Sequence, residues 1–125
     1  MPSTRSIVTA AVLDAALVLV FVIIGRGSHE EGFSLPGLLQ TWWPFLAGAA
    51  VGWLLARAWR SPARTVWTGI VVWVATVVVG MLLRVASGQG VQLSFVIVTV
   101  LVLGVFLLGW RAVARLATAL RRRPA

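Results

Sequence analysis

The sequence predicts an all-α integral membrane protein, a single domain over residues 1–125 built as a bundle of four transmembrane helices. An interfacial segment is expected on the outer side and a basic cytoplasmic helix at the C-terminus. Hydrophobic residues make up 60% of the chain and charged residues 11%, whereas soluble domains carry about 25% charged residues. The mean hydropathy is +0.99. Because a small soluble domain buries only ~60–70% of its surface, this composition excludes an ordinary soluble enzyme.

Four apolar runs approach the ~20 residues that a transmembrane helix needs. Many of their residues are Val and Ile, which favour strands in water. A lone strand would leave its backbone groups unpaired in hydrocarbon, so we expect helices. The second run is short and rich in Gly and Ala. The predicted helices cover about residues 6–24, 44–59, 65–83 and 93–110.

The connections are short, so neighbouring helices should be antiparallel. The longest, residues 25–43, begins as GRGSHEEG and continues as FSLPGLLQTWW. The second part predicts an interfacial segment leading into the second helix. Pro44 suits the first turn of that helix, with Thr41 as a possible cap.

Arginine placement predicts the orientation. All eleven basic residues are Arg, and four spans put nine of them on the side of both termini and two on the other. The positive-inside rule therefore predicts cytoplasmic termini. Beyond Trp110 a basic amphipathic helix, residues 111–125, should bind anionic lipid headgroups; a solvated tail is the alternative. Nucleic acid is not an expected partner. The expected headgroup contacts are Arg111, Arg115, Arg121, Arg122 and Arg123.

Asp14 is the candidate intramembrane site, because it falls near the midplane of the first helix. A charged carboxylate there costs roughly 2.5–3.5 kcal/mol. We expect it to be neutral, since no basic residue is predicted at that depth. Trp73 and Thr76 belong to the same candidate site, because they lie at a similar depth in the third helix and could donate hydrogen bonds to Asp14. Asp14 is either a proton, cation or substrate site, or a structural staple between helices. Trp53 also lies within a span, and its indole N–H needs an acceptor.

Two further features of the sequence indicate a function less specifically than Asp14 does. Gly48 and Gly52 form a small-residue face, which suits packing within the chain or a homodimer. Arg26, His29, Glu30 and Arg84 form a candidate outer polar cluster, for which a solvated loop is the alternative. With one His and no Cys no metal site is expected. No cofactor is expected, and no catalytic motif indicates an enzyme.

Several strings in order resemble an uncharacterised prokaryotic membrane-protein family, domain-of-unknown-function family 3054. They are Asp14 in the first run, GRGSHEE, WPFLAGAAVGW, GMLLR, SFVIV and LGWR. The resemblance implies a bacterial or archaeal membrane protein without an established activity. Together with the four predicted spans and the arginine placement, it leads us to expect a multi-pass protein of the prokaryotic cytoplasmic membrane. The residues at the matching strings are Asp14, Arg26, His29, Pro44, Gly48, Arg84 and Arg111.

Two functions remain open. The first is a proton-coupled small-solute transporter or channel-like protein centred on Asp14, by analogy with small multidrug resistance transporters, whose first span also carries an acid. The second is a non-catalytic scaffold or partner subunit that binds anionic lipid or protein through its Arg-rich face. The sequence names no substrate.

Overall fold

The computed structural model describes residues 2–27 and 34–122, where the regular secondary structure is entirely helical. The connection between α2 and α3 holds a 3-10 turn, Ala58–Arg60, and a π-helical turn, Thr65–Gly69, runs directly into α3. With that turn included, all four helices are long and apolar enough to cross a membrane. The prediction of four membrane-length helices is therefore confirmed. The helices are α1 (Thr4–Gly27), α2 (Leu35–Ala56), α3 (Ile70–Ala86) and α4 (Leu93–Arg121).

Consecutive helices are antiparallel, as specific contacts show. Arg26 near the end of α1 bonds to Thr41 near the start of α2, whereas Asp14 bonds to Trp53 near the end of α2. We call the end where α1 begins and α4 finishes the terminal end, and the opposite end the far end. The terminal end also holds the α2–α3 connection, and the far end holds the α3–α4 connection.

At the terminal end, α1 and α4 extend beyond the other two helices. The carbonyl of Pro62, in the α2–α3 connection, bonds to Arg111 of α4, so that connection lies at the level of Arg111. Beyond Arg111, α4 continues to Arg121, about 15 Å further at 1.5 Å per residue. The predicted basic segment, as far as Arg121, is therefore an unbroken continuation of the fourth helix.

The structure corrects the predicted start of the second helix. Ser34 is its N-cap, with Oγ accepting from the Gly37 amide at 3.1 Å. Pro44 lies inside the helix and not in its first turn, and the separate interfacial segment is the first part of α2. Proline lacks an N–H and so leaves the carbonyl four residues earlier without a helical donor. That carbonyl, of Gln40, accepts instead from the side-chain amide of Gln89 at 3.1 Å.

Helices α2 and α3 pack most closely, through the small-residue face of α2. A Cβ added at Gly48 would lie 2.9 Å from the Thr76 Cα, and one at Gly52 would lie 2.7 Å from the Val72 Cα. Glycine at these two positions lets the backbones approach, as small residues do in membrane bundles. This face is therefore used within the chain.

The core lies between the two ends of the bundle. Phe21 and Phe45 meet edge to face with ring centroids 5.7 Å apart, and Phe95 lies 6.1 Å from each of them. Aliphatic side chains from all four helices complete the core, while many other apolar side chains are exposed on the outside, as lipid contact requires. The buried aliphatic residues of this cluster are Val18, Val22, Ala49, Val72, Leu103 and Leu107.

Candidate functional site: a buried ion pair

Asp14 lies inside the bundle and is bound by residues of α2 and α4. Only 1% of the residue is exposed. Its Oδ1 accepts from Trp110 Nε1 and from Arg111 Nη1, both at 2.8 Å. Its Oδ2 accepts from Trp53 Nε1 at 2.8 Å and from Arg111 Nη2 at 2.6 Å. Four donors occupy a group that offers about four lone-pair sites, so the carboxylate is fully hydrogen-bonded.

Arg111 pairs with Asp14 through both terminal nitrogens, although the two residues are 97 positions apart. Its side chain is completely buried. Nε donates to the Pro62 carbonyl at 2.9 Å, and Nη1 also reaches the Leu107 carbonyl at 3.0 Å. The guanidinium also lies 4.6 Å from the centroid of the Trp110 ring. Such a two-pronged arginine–carboxylate pair is among the stronger and more directional polar contacts in proteins.

The α2–α3 connection is folded so that the Pro62 carbonyl meets Arg111. Thr68 Oγ1 donates to the Ser61 carbonyl at 2.7 Å, and Trp67 Nε1 donates to the carbonyl of Ala56, the last residue of α2, at 2.9 Å. These bonds tie both sides of the connection together. A Cβ at Gly69 would lie 3.2 Å from the Arg111 Cδ, so glycine there makes room for the arginine stem.

Charge balance explains why these two residues are found together. Burying either ion alone costs several kcal/mol, and the mutual attraction offsets this only when the geometry is good and the remaining donors are satisfied. In this site Arg111 pairs with both carboxylate oxygens, and its other bonds go to the Pro62 and Leu107 carbonyls, so both conditions are met. The expectation that Asp14 lacks a counter-charge is therefore wrong, and with it the reason for expecting a neutral carboxyl group.

The two donors predicted for Asp14 bond elsewhere. Trp73 Nε1 donates to the Val100 carbonyl of α4 at 3.0 Å, and Thr76 Oγ1 donates to the Val72 carbonyl one turn earlier at 2.6 Å. Both predicted contacts are wrong, because α3 faces α2 and α4 at this depth. The expectation that indoles within the spans need acceptors holds for the half-buried Trp53 and Trp73 alike.

The predicted headgroup contact at Arg111 is also wrong, because its guanidinium is buried on Asp14. The other predicted contacts lie on the free part of α4: Arg115 and Arg121 are exposed, as is Arg122 directly after the helix. Arg123 lies outside the described residues. The lipid contacts of these three described arginines stay a prediction.

A cavity of about 300 Å³ lies beside the ion pair at the terminal end. It is bounded by the first turns of α1 and by the α2–α3 connection. Trp110 forms part of its wall and also bonds to Asp14. The pair is thus one side chain from an opening at the terminal end. The lining residues are Arg5, Ser6, Thr9, Ala10, Pro62, Ala63 and Trp110.

A larger cavity, about 830 Å³, lies at the far end and includes two members of the predicted outer cluster, Arg26 and Arg84. Arg26 Nη1 donates to Thr41 Oγ1 at 3.1 Å. Arg84 donates to the Gly90 carbonyl and, at 2.9 Å, to Gln89 Oε1. The other two members, His29 and Glu30, lie outside the described residues. Within residues 2–27 and 34–122 no three acidic, His or Cys side chains gather as metal ligands would.

Sequence reasoning identified Asp14 but missed its partners. Trp53 was noted as an indole in need of an acceptor, and Arg111 as the first arginine after the fourth run. The register of two antiparallel helices could have indicated that Asp14 and Arg111 are partners. Asp14 lies about as far from Thr4, where α1 begins, as Arg111 lies from Arg121, where α4 ends. Because α1 and α4 are antiparallel, these two positions lie side by side. The expectation that Arg111 contacts lipid headgroups hid this match.

The fold and the composition define a multi-pass membrane protein with a buried acid–base pair. A family model described as "Protein of unknown function (DUF3054)" matches residues 11–114, and the chain belongs to that family. The matched segment includes Asp14 and Arg111 close to its two ends. No curated protein and no solved structure is detectably similar to the chain.

Proposed function

We propose that this protein is a proton-coupled small-solute transporter or channel-like protein, not an enzyme, in which the Asp14–Arg111 pair couples proton and solute movement. The observation that carries the proposal is the fully buried ion pair between α1 and α4, next to a cavity. Ionisable residues within membrane spans are costly and commonly mark proton or substrate pathways.

Charge neutrality supplies the coupling step. When Asp14 takes up a proton, it loses its charge and Arg111 is left as an unbalanced buried cation, which costs about 3–5 kcal/mol. An entering anion can then restore the charge balance, while water admitted by the neighbouring cavity can only solvate the guanidinium. When the proton leaves, Asp14 recovers Arg111 and the competing ligand is released. Proton binding at Asp14 and anion binding at Arg111 therefore favour each other, because each requires the ion pair to be broken.

The proposal also includes the membrane in which the protein lies and its orientation there. We place the protein in the cytoplasmic membrane of a prokaryote with the terminal end facing the cytoplasm. The supporting observation is the distribution of arginine: the described chain carries exposed arginines at Arg5, on the α2–α3 connection and on the end of α4. At the far end it has Arg26 and Arg84. The positive-inside rule favours this orientation.

The experiment compares titration of the carboxyl group with proton transport. In infrared difference spectra of protein in proteoliposomes, acidification should produce a protonated-carboxyl band in wild type that is missing in Asp14→Asn. Vesicles loaded with a pH-sensitive dye, under an imposed pH gradient, should acidify faster with wild type than with the variant. A panel of small anions added outside then tests whether flux depends on a solute.

A double variant separates function from folding. Asp14→Leu with Arg111→Met replaces the pair by apolar side chains of similar bulk, a change that is often neutral or stabilising for folding. We expect this variant to be monodisperse and to melt cooperatively, but to transport no protons. Proton flux equal to wild type in the double variant would refute the proposal and leave the pair as a structural staple.

A second candidate function, a scaffold that binds anionic lipid, is favoured by the free end of α4. Val113, Leu116 and Leu120 are 66%, 60% and 55% exposed and share one face of the helix. Arg115 and Arg122 lie on another face. A helix with one apolar and one basic face is suited to an anionic membrane surface, where each basic residue contributes about 1 kcal/mol.

Lipid retention tests the second candidate. Changing Arg115, Arg121 and Arg122 together to Gln should reduce the amount of phosphatidylglycerol that co-purifies with the protein, measured by native mass spectrometry. Changing the same three residues to Lys keeps the charge and should retain the lipid. Equal retention by both triple variants would contradict this function.

A further inference from the structure

We propose that the smaller cavity, at the terminal end, is a water site through which protons reach Asp14, and that Trp110 is the gate between this water and the carboxylate. The route rests on the proton coupling proposed above and adds the end of the bundle at which the proton enters and leaves. Its basis is a contrast between the two cavities, since one borders a residue that bonds to Asp14 and the other does not.

The terminal-end cavity extends as far as the ion pair. Trp110 is part of its lining and donates to Asp14 Oδ1 at 2.8 Å. Ala10 is also part of the lining and lies four residues before Asp14, so the two residues share one face of α1 at successive turns. Water in this cavity is therefore separated from the carboxylate by the indole of Trp110.

The lining suits water. Ser6 and Thr9 bring exposed hydroxyl groups to it, and Arg5 brings an exposed guanidinium. These groups are polar partners of the kind that water in a cavity needs, and the volume of about 300 Å³ far exceeds the ~10–15 Å³ that one water needs. Arg5 is the one ionisable residue among the described lining residues, and it stays protonated. No described group of the lining therefore takes up a proton before Asp14 does.

Apolar side chains close the other side of the pair. The next two turns of α1 and α4 toward the far end are filled by aliphatic side chains that are at most 2% exposed. They are Val18 and Val22 on α1 and Leu103 and Leu107 on α4. Water finds no polar partner in such a layer. On α1 the far-end cavity reaches Phe21, which is seven residues from Asp14, or about 10 Å along the helix.

Trp110 acts as a gate because it cannot relay a proton. An indole N–H only donates and has no lone pair that accepts a proton, so water must replace the indole as the partner of Oδ1. The half-buried Trp110 ring borders the cavity and lies 4.6 Å from the Arg111 guanidinium, so its movement also loosens Arg111. A hydronium ion in the cavity then gives its proton to Oδ1, which leaves a neutral carboxyl group and a neutral water molecule.

Exchange of the indole protons tests the route in the wild-type protein. Trp53 and Trp110 both donate to Asp14 at 2.8 Å, but Trp53 is not among the described residues of the cavity lining. Protein in detergent micelles, with isotope-labelled indoles, is transferred into heavy water, and the decay of each N–H signal is followed by NMR. We expect Trp110 to exchange at least about tenfold faster, since exchange needs an open hydrogen bond and contact with water. Equal rates, or faster exchange at Trp53, would overturn the route.

Blocking the cavity tests the route during transport. The chain contains no Cys, so an introduced cysteine is its sole thiol. Ala63→Cys lies in the lining, and Ala112→Cys, at an exposed position of α4 at the same end, is the matched control. Each variant is reacted with a thiosulfonate that attaches a trimethylammonium group. Because a fixed positive charge in a cleft repels protons, the reaction should lower proton flux of Ala63→Cys at least about tenfold and leave Ala112→Cys unchanged.

Two results of the labelling would count against the route. If mass spectrometry shows complete modification of Ala63→Cys and its flux is unchanged, protons reach Asp14 elsewhere. If the thiol at position 63 does not react with the reagent at all, the cavity does not admit water, and the route fails as well.

A gate variant isolates the role of Trp110. Trp110→Ala removes the indole between water and carboxylate, so exchange at Trp53 should become at least about tenfold faster. Trp59→Ala removes an exposed indole at the same end and should leave that rate unchanged. An unchanged Trp53 rate in folded Trp110→Ala would show that Trp110 is not the gate.

The route and the transport function can fail separately. If the two indoles exchange alike and labelling has no effect, while wild type still shows the Asp14 carboxyl band and proton flux, the route alone is refuted. If Trp110 exchanges faster but wild type shows neither the band nor the flux, the transport function is refuted and the cavity only admits water to a structural ion pair.

Discussion

Trp53 Nε1 donates a 2.8 Å hydrogen bond to Oδ2 of Asp14, and this bond ties α2 to the ion pair that joins α1 and α4. Hydrogen bonds to charged groups contribute roughly 1.5–3 kcal/mol, against about 0.5–1.5 kcal/mol for neutral pairs. Trp73 provides the neutral comparison in the same bundle, because its indole donates to the Val100 carbonyl.

We therefore expect Trp53→Phe to lower the free energy of unfolding in detergent by more than Trp73→Phe does. Both changes remove an indole N–H and similar bulk, so the difference between them reports the charge on the acceptor. Denaturant unfolding followed by circular dichroism measures both variants. An equal or larger loss in Trp73→Phe would contradict a charged acceptor at Asp14.

Removing one member of the ion pair should be far more damaging than replacing both. Asp14→Leu leaves Arg111 buried and unpaired, and Arg111→Met leaves the carboxylate in the same position. Each single variant should lose about 3–5 kcal/mol of stability, whereas the double variant should stay within about 1–2 kcal/mol of wild type because neither ion remains. Unfolding of all four proteins completes the cycle, and additive losses would show that the two residues act independently.

The helices were predictable from the sequence because lipid imposes them. A ~20-residue apolar run has no other way to satisfy its backbone in hydrocarbon. The predicted fourth helix begins where α4 begins, at Leu93, and the predicted third helix begins at Thr65, the first residue of the π-helical turn that runs into α3. The fourth prediction stopped at Trp110 because the following arginines read as a membrane boundary. In the structure the first of them, Arg111, turns inward to Asp14.

The partners of Asp14 were not predictable from one sequence, because they depend on how helices pack. Hydrophobicity places a residue at a depth, but it does not say which face of a neighbouring helix meets it. Trp73 and Trp53 were equally plausible donors on depth alone. The close packing of α2 on α3 through Gly48 and Gly52 fixes the rotation of α2, and Trp53 is the indole that contacts Asp14.

That close packing should be sensitive to a single methyl group. Gly52→Ala would bring its Cβ to 2.7 Å from the Val72 Cα, so the helices must separate, and overpacking of this kind typically costs about 1–3 kcal/mol. Gly109→Ala in α4 is the control, because nothing lies within 4 Å of its added Cβ. There alanine should be neutral or stabilising by up to ~1 kcal/mol, since it favours helix over glycine. Thermal unfolding of both variants checks the contrast, and similar melting temperatures would contradict it.

The contact of Gln89 with α2 should matter only while proline stands at position 44. Pro44 deprives the Gln40 carbonyl of its helical donor, and the Gln89 side chain replaces that donor at 3.1 Å. Gln89→Ala should therefore lower stability by about 0.5–1 kcal/mol, toward the low end for a hydrogen bond because the contact is exposed. In a Pro44→Ala background the helix recovers its own amide, and the same Gln89→Ala change should cost less. A double-mutant cycle by denaturant unfolding measures this difference; an unchanged cost in both backgrounds would mean that Gln89 stabilises the far end by its contacts to Arg84 and Ser87 instead.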